Sequence, residues 1–249
     1  MLIKAKGSDK EEIIRFLYQE PARNYFVLLG LMNSDATFDE IYLEIFENEI
    51  RSGIFKRSSG NLQLALSDKS DLKTIERWML DHPFDKLIGP KSFCAPFEEH
   101  LNLIKIGADI GVLHKKNYIK AKKSKNVKPL CVKDLKTVIK LYEKVFTGFP
   151  KEAYMAEKLT SKRGLGFKID GMISVAQSDM GCLIVGVATE PEYQQMGYGR
   201  IVLGHLIETL FKTHDQVYLQ YEDEKARALY LSMGFVKMDT VYHYEKRIK

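Results

Sequence analysis

Gly197 and Gly199 lie between an apolar stretch and an amphipathic one, and that order of residues builds an anion site. Cys182–Thr189 reads as a strand, and Pro191 ends it because proline cannot donate to a continuing ladder. The two glycines let the backbone turn sharply and approach a ligand closely. A helix over Tyr198–Lys212 then aims its unpaired N–H groups and the positive end of its dipole into the turn. A diphosphate is the natural occupant. A phosphate-binding Walker loop would need Lys and then Ser or Thr after the last glycine, where this chain has Arg200-Ile201. The dinucleotide fingerprint needs a third glycine and an acid about 20 residues on, and the spacing here does not supply them.

A second run follows across the predicted strand Gln216–Gln220. Asp223 can cap a short helix, and Ala226, Leu229, Tyr230 and Met233 repeat at helical spacing as one buried face. Gly234 can take the left-handed conformation that stops the helix, and Phe235 opens the next strand.

Gln194-x-x-Gly197-x-Gly199 resembles the acetyl-CoA pyrophosphate loop of the GNAT superfamily of N-acetyltransferases. Asp223-x-x-Ala226-x-x-Leu229-Tyr230-x-x-x-Gly234-Phe235 resembles the second signature of that superfamily, with Asp in place of the usual Asn. The resemblance covers about residues 127–248 and implies a donor, acetyl-CoA, and an acceptor, a primary amine on a small molecule, amino acid or peptide. By resemblance the backbone of Val187, Ala188 and Thr189 pairs with the pantetheine arm. Gln194, Gln195, Met196, Gly197, Tyr198, Gly199 and Arg200 then wrap the diphosphate, and Asp223 and Ala226 border it. Arg200 can meet a phosphate or face solvent. Tyr230 sits where the family places the tyrosine that protonates the departing thiolate; the alternative is plain packing in the helix face. Glu190 is the candidate proton acceptor, acting through water. His205, His214 and His243 read as surface or structural residues. A protein that holds CoA without transferring anything is the competing class.

The elements that must position these residues read as follows. The second half gives a strand Val127–Cys131, helices Lys133–Phe146 and Lys151–Lys162, and strands Gly166–Ile169 and Met172–Gln177 about an Asp170-Gly171 turn. The central strand Leu183–Thr189, the two helices of the motifs and a closing strand Thr240–Lys246 complete it. The first half gives helices Asp9–Tyr18 and Pro21–Met32, and strands Ile41–Ile50 and Ile54–Leu66 with a turn at Ser58-Ser59-Gly60-Asn61. A helix Asp71–Leu80, a strand ending at Leu87–Pro90, a helix into Leu103, and short strands Gly111–Leu113 and Tyr118–Lys122 follow. The shared rhythm suggests two α/β domains in tandem, 1–125 and 126–249, each a mixed, mostly antiparallel sheet flanked by helices. The first would be a degenerate copy on the acceptor side. Ile88-Gly89-Pro90-Lys91-Ser92 would stand at its cradle position, where Pro90 removes a donor, so no cofactor is expected there.

Composition excludes several classes. The 249 residues are 45% hydrophobic and 29% charged with a net charge of +5, which describes a globular chain without a marked preference for nucleic acid. No apolar run reaches the length of a membrane span, and no secretory signal opens the chain. Cys94, Cys131 and Cys182 have no paired spacing, which fits reduced thiols in a cytoplasmic protein. Metal-ligand motifs and nucleophile elbows are missing, so no metal is expected. Seven lysines and no acid between Lys115 and Lys128 read as an edge strand entering a linker rather than a basic arm. A homodimer is compatible with all of this.

Overall fold

A computed structural model of the chain describes residues 2–32 and 38–247. The chain divides into two compact units, Met1–Ile110 with Asp239–Lys249, and Gly111–Met238. This differs from a division at 125/126, because the last strand groups with the first unit.

The first unit runs β1 (Leu2–Lys4), α1 (Lys10–Leu17), α2 (Tyr25–Met32), β2 (Glu40–Phe46), β3 (Glu49–Lys56), β4 (Asn61–Leu66), α3 (Leu72–Asp81), β5 (Lys86–Pro90), a single turn α4 (Lys91–Cys94) and β6 (Leu101–His114). Strand β2 pairs antiparallel with β3 and β3 with β4, while β4 pairs parallel with β5 at Asn61↔Lys86 and Leu62↔Leu87. Ile75, Trp78 and Met79 on α3 share one buried face and pack with Ile54, Leu64 and Phe93. The stretch expected as one strand, Ile41–Ile50, is two: Glu47 and Asn48 both have positive φ, 51° and 63°, and reverse the chain. No glycine marks that turn, which is why the sequence reads through it. The helix expected to run into Leu103 is present as α4 and a 3-10 continuation over Ala95–His100, and it ends three residues early, where Leu101 opens the long strand β6.

The second unit continues with β7 (Val127–Pro129), α5 (Leu135–Val145), α6 (Glu152–Thr160), β8 (Gly166–Ile169), β9 (Ser174–Asp179), β10 (Leu183–Ile184), β11 (Ala188–Thr189), α7 (Tyr198–Leu210), β12 (Gln216–Tyr221), α8 (Glu224–Ser232) and β13 (Val236–Lys246). The division into units falls inside β6 and inside β13. Helices α5 and α6 bury Leu135, Leu141, Tyr142 and Met155 against Val175 and Ala188. Helix α7 buries Val202, Leu203, Leu206, Ile207 and Leu210 against Phe167, Ala176 and Ile184. Strand β10 pairs parallel with β12 and antiparallel with β9. Thr240–Lys246 does not close this unit: Val241–Glu245 pairs antiparallel with β5, and Tyr244 is 2% exposed in the first unit's core.

Each unit therefore shows a strand, two helices, three antiparallel strands, a helix, a parallel strand and another helix, the order of the expected duplication. The cradle position, however, moves. Ile88–Ser92 spans the end of β5, the counterpart of β12, and the start of α4, so the first unit's counterpart of the Gly197 corner is Ser67–Asp71, between β4 and α3. Tyr118–Lys122 forms no strand. Tyr118 and Ala121 pack on α7 at Gly204, where an added Cβ would come within 2.4 Å of the Ala121 methyl.

One buried charge cluster braces the second unit. The Asp179 carboxylate, 1% exposed, accepts from Arg163 Nε (3.0 Å), the Tyr154 hydroxyl (2.6 Å) and the Met180 amide (2.8 Å). Lys158 beside it is 2% exposed, and burial lowers its pKa to about 8 against the opposing pull of Asp179. Because the unfolded lysine titrates near 10.5, the unfolded chain holds the proton more tightly between those values. Stability therefore rises with pH from about 8 to 10.5 and carries the full cost of the buried charge below 8. Lys158→Met is expected to be more stable than the parent at pH 7 by about 1–2 kcal/mol, with the gap closing toward pH 10. Urea titrations at pH 7, 8.5 and 10 read this directly, and a gap independent of pH would refute it.

Candidate functional site

The site is built on an interruption of the central strand. Leu183 and Ile184 pair with Asp179 and Ser178, whereas Ala188 and Thr189 pair with Val175 and Ser174. The partner advances four positions while only three are used on β9, so one extra residue sits between: a β-bulge over residues 185–187. Strand β12 follows only the first part, at Leu183↔Tyr218 and Ile184↔Leu219. Beyond Ile184 the two parallel strands separate, and the backbone of residues 185–189 has no ladder on its β12 side. A strand edge without a partner is what an extended ligand arm can use.

The bulge is held from the α5 side. Gly186 has φ +78°, and its carbonyl accepts from the Tyr142 hydroxyl at 2.9 Å. Gln177 Nε2 donates to that hydroxyl at 2.6 Å. A Cβ at position 186 would lie 2.1 Å from the tyrosine oxygen, so only glycine fits. The Gly186–Val187 peptide is trans, and so the Val187 N–H points away from α5, opposite to the carbonyl that Tyr142 holds. Burial pushes the Tyr142 hydroxyl up and keeps it protonated. None of Tyr142, Gln177 and Gly186 was singled out from the sequence; the glycine inside an otherwise apolar run was the available signal.

The corner itself is open. Gly197 takes φ +90° as the residue before α7, and the helix has no side-chain cap on its first turn. A Cβ on Gly197 would meet nothing within 4 Å. Gln194, Gln195 and Met196 are exposed, Met196 to 65%, so the lining of the corner is main chain. Gln195 has φ 64°, and Gln194 Nε2 reaches back to the Thr189 carbonyl at 3.3 Å. Tyr198 is half-buried, and its ring meets Tyr193 edge-on at 6.0 Å. Gly199 lies against Thr189, whose hydroxyl shares a hydrogen bond with Ser174 at 2.8 Å.

Two expected residues are engaged elsewhere in the unit. Arg200 Nη1 donates to the Ser232 hydroxyl at 2.6 Å and to its carbonyl at 3.1 Å, tying α7 to the end of α8. The Arg200 guanidinium is thus hydrogen-bonded to protein groups rather than bare in solvent. Glu190 receives both carboxylate contacts from Lys144, at 2.8 and 2.9 Å. Asp223 caps α8 as the sequence suggests, its Oδ1 accepting from Lys225 N and Ala226 N at 2.9 Å each. Gly234, φ +96°, closes that helix with Phe235 N donating to the Tyr230 carbonyl. Tyr230 is 7% exposed between Tyr221 and Phe235, and burial with the nearby Asp223 charge pushes its hydroxyl up. At neutral pH it holds its proton. Among the described residues one trio, Glu76, Glu99 and His100, brings possible metal-binding atoms within 4.8 Å of one another, on a partly exposed surface of the first unit.

Residues 150–235, spanning α6 to the end of the α8 motif, match the sequence profile of the acetyltransferase (GNAT) family. The fold is the GNAT fold. A GNAT-family acetyltransferase from Colwellia psychrerythraea superimposes with a TM-score of 0.74 over 99% of this chain and 100% of its own, at 10% identity. A GCN5-related N-acetyltransferase from Sphaerobacter thermophilus gives 0.62 over 99% and 95%, at 11% identity. A tandem GNAT protein from the clavulanic acid biosynthesis pathway gives 0.61 over 98% and 97%, at 9% identity. No curated protein sequence matches the chain. At these identities the structural likeness speaks for the fold, and the tandem neighbour shares the repeated GNAT architecture.

Tyr142→Phe removes the hydroxyl that two buried groups share. It is expected to cost about 1–3 kcal/mol in a denaturant titration, the penalty of leaving the Gly186 carbonyl and the Gln177 amide unpaired. A loss below the error of the measurement would show that the bulge holds without this clasp.

Proposed function

We propose that the second unit is an N-acyltransferase that moves an acetyl group from acetyl-CoA directly to a primary amine of a small molecule, amino acid or peptide. The observation that carries this reading is the conjunction of an unlatched strand edge at residues 185–189 with an uncapped helix N-terminus at Gly197. One accepts an extended amide-bearing arm and the other a diphosphate, and they lie consecutively along one chain segment.

Acetyl-CoA would be held by main-chain groups of Val187, Ala188 and Thr189 and by the N–H groups of Gly197, Tyr198, Gly199 and Arg200. Bound there, it supplies the activated acetyl thioester. The Val187 N–H, aimed by the Gly186 peptide, is placed to donate to a carbonyl oxygen in the gap. Tyr230, kept protonated by its surroundings, is the proton source for a departing thiolate. Glu190, fixed by Lys144, would take the amine's proton through water. The nitrogen forms its bond to the acetyl carbon as the carbon–sulfur bond breaks; one proton leaves the amine and one reaches the sulfur.

The main alternative is a CoA-holding protein without chemistry. The burial of Tyr230 and the commitment of Glu190 to Lys144 favour it. Thiol release across a panel of primary amines separates the two. Among the described residues no helix is long and apolar enough to cross a membrane. Cys94, Cys131 and Cys182 are all unpaired, in keeping with the cytoplasmic setting we assign.

Gly197→Leu places a side chain in the open corner and strains a left-handed backbone position. It is expected to weaken acetyl-CoA binding by calorimetry at least about tenfold without changing far-UV circular dichroism; unchanged affinity contradicts the corner assignment. Tyr230→Phe is expected to lower kcat about 100-fold with cofactor affinity retained, the usual scale for losing a general acid. Turnover equal to the parent removes Tyr230 from the mechanism.

A further inference from the structure

The clasp on the central strand of the second unit has a direction as well as a geometry. Tyr142 is 2% exposed, and its ring meets Phe146 and Phe149 edge-on, with centroids 5.0 and 5.7 Å away. Its hydroxyl carries one proton, and burial keeps that proton in place. The Gly186 carbonyl, 2.9 Å away, can only accept, so the proton is committed there. The other atom on the hydroxyl must then be a donor, which fixes the nitrogen end of the Gln177 amide at 2.6 Å.

Gln177 is 1% exposed and holds the bulge at a second point, its own carbonyl accepting from the Val185 amide at 2.7 Å. Gly166 is its partner on β8, where an added Cβ would come within 3.3 Å of Gln177 Cγ. The side-chain Oε1 has no hydrogen-bond partner in the protein. Turning the amide over would place that oxygen on the hydroxyl and draw the proton away from Gly186. The bare oxygen therefore accompanies the one orientation in which all three groups donate in the same sense.

Hydrogen bonds in series polarise one another. A peptide whose carbonyl accepts gains double-bond character at C–N, and its N–H becomes a stronger donor. The N–H of the Gly186 peptide belongs to Val187, a half-buried residue beyond the point where β12 leaves the strand. We infer that Gln177, Tyr142 and the Gly186–Val187 peptide form a one-way hydrogen-bond relay that strengthens the Val187 N–H as a donor to charge developing on an acyl oxygen. Both side chains are buried and act through the peptide, so they are positioning residues. The relay stands on the geometry of the second unit alone, and its use in catalysis rests on the acyl-transfer reading.

The test follows the Val187 amide by NMR in the full chain without ligand, with turnover measured in parallel. Tyr142→Phe removes the middle of the relay, and Gln177→Met removes its first donor at similar volume. Placing 3-fluorotyrosine at position 142 makes the hydroxyl a stronger donor. The Val187 nitrogen resonance is expected upfield of the parent in Tyr142→Phe, upfield by less in Gln177→Met, and downfield with 3-fluorotyrosine. Turnover is expected to follow the same order. In Tyr142→Phe, kcat falls about fivefold, a fraction of the effect of losing an oxyanion donor outright, with acetyl-CoA affinity within about twofold of the parent.

A role in packing alone does not move the fluorinated protein in the direction opposite to the other two. If Tyr142→Phe does not fold, Gln177→Met and the fluorinated protein decide the matter. A Val187 resonance unmoved in these proteins, or moved the same way in all of them, overturns the relay. Resonances that shift in the expected order while kcat stays at the parent value overturn its catalytic use. No thiol release from the parent, with the resonances still in that order, refutes the acyl-transfer reading and upholds the relay.

Discussion

One inserted residue in the central strand of the second unit governs which backbone groups that unit leaves unspent. A continuous strand from Leu183 to Thr189 would stay in register with β12 and spend its backbone groups on the ladder. The bulge over residues 185–187 turns the chain so that β9 is kept and β12 is lost. A bulge of this kind persists only if something compensates the interrupted ladder. Here Tyr142, supported by Gln177, satisfies the Gly186 carbonyl from within the core. The same hydrogen bond fixes the orientation of the following N–H. Packing on one face of the sheet thus prepares a donor on the other side of that peptide.

The corner after that strand follows from the same logic of unspent backbone groups. Helix α7 starts on glycine, which satisfies none of its first-turn donors with a side chain. Helix α3, its counterpart in the first unit, starts on Asp71, with Glu44 behind it. Topology is shared, but the charge presented at the helix start is reversed. A single capping residue is sufficient for that difference: Asp carries both the acceptor and the negative charge that a phosphate would have brought.

Much of this was legible in the residues. The Gly197-x-Gly199 corner, the Asp223 cap, the Gly234 stop and the helical faces of α3, α7 and α8 all rest on interactions within a few positions of sequence. Short-range rules govern them, and the structure places them where those rules point. The turn at Glu47-Asn48 carries no glycine or proline, and Asn48 alone, inside an alternating apolar run, does not mark it against the strand pattern on either side. The placement of Ile88–Ser92 at the cradle position followed the most visible glycine rather than strand order. Thr240–Lys246 reads as closing the second half, yet it pairs with β5, because alternation shows that a strand has two faces, not which edge it joins.

The sequence by itself determined where most of the helices and many of the strands lie, that a glycine-bearing turn precedes α7, and that Asp71 and Asp223 cap α3 and α8. Only the tertiary structure decided that the central strand is broken, that Tyr142 clasps the break, that Arg200 and Glu190 are engaged by Ser232 and Lys144, and that β13 pairs with β5. The physical reason is range. Caps, turns and amphipathic faces are set by neighbours along the chain, whereas a bulge, a clasp or an edge pairing joins residues tens of positions apart and exists only once the sheet has formed.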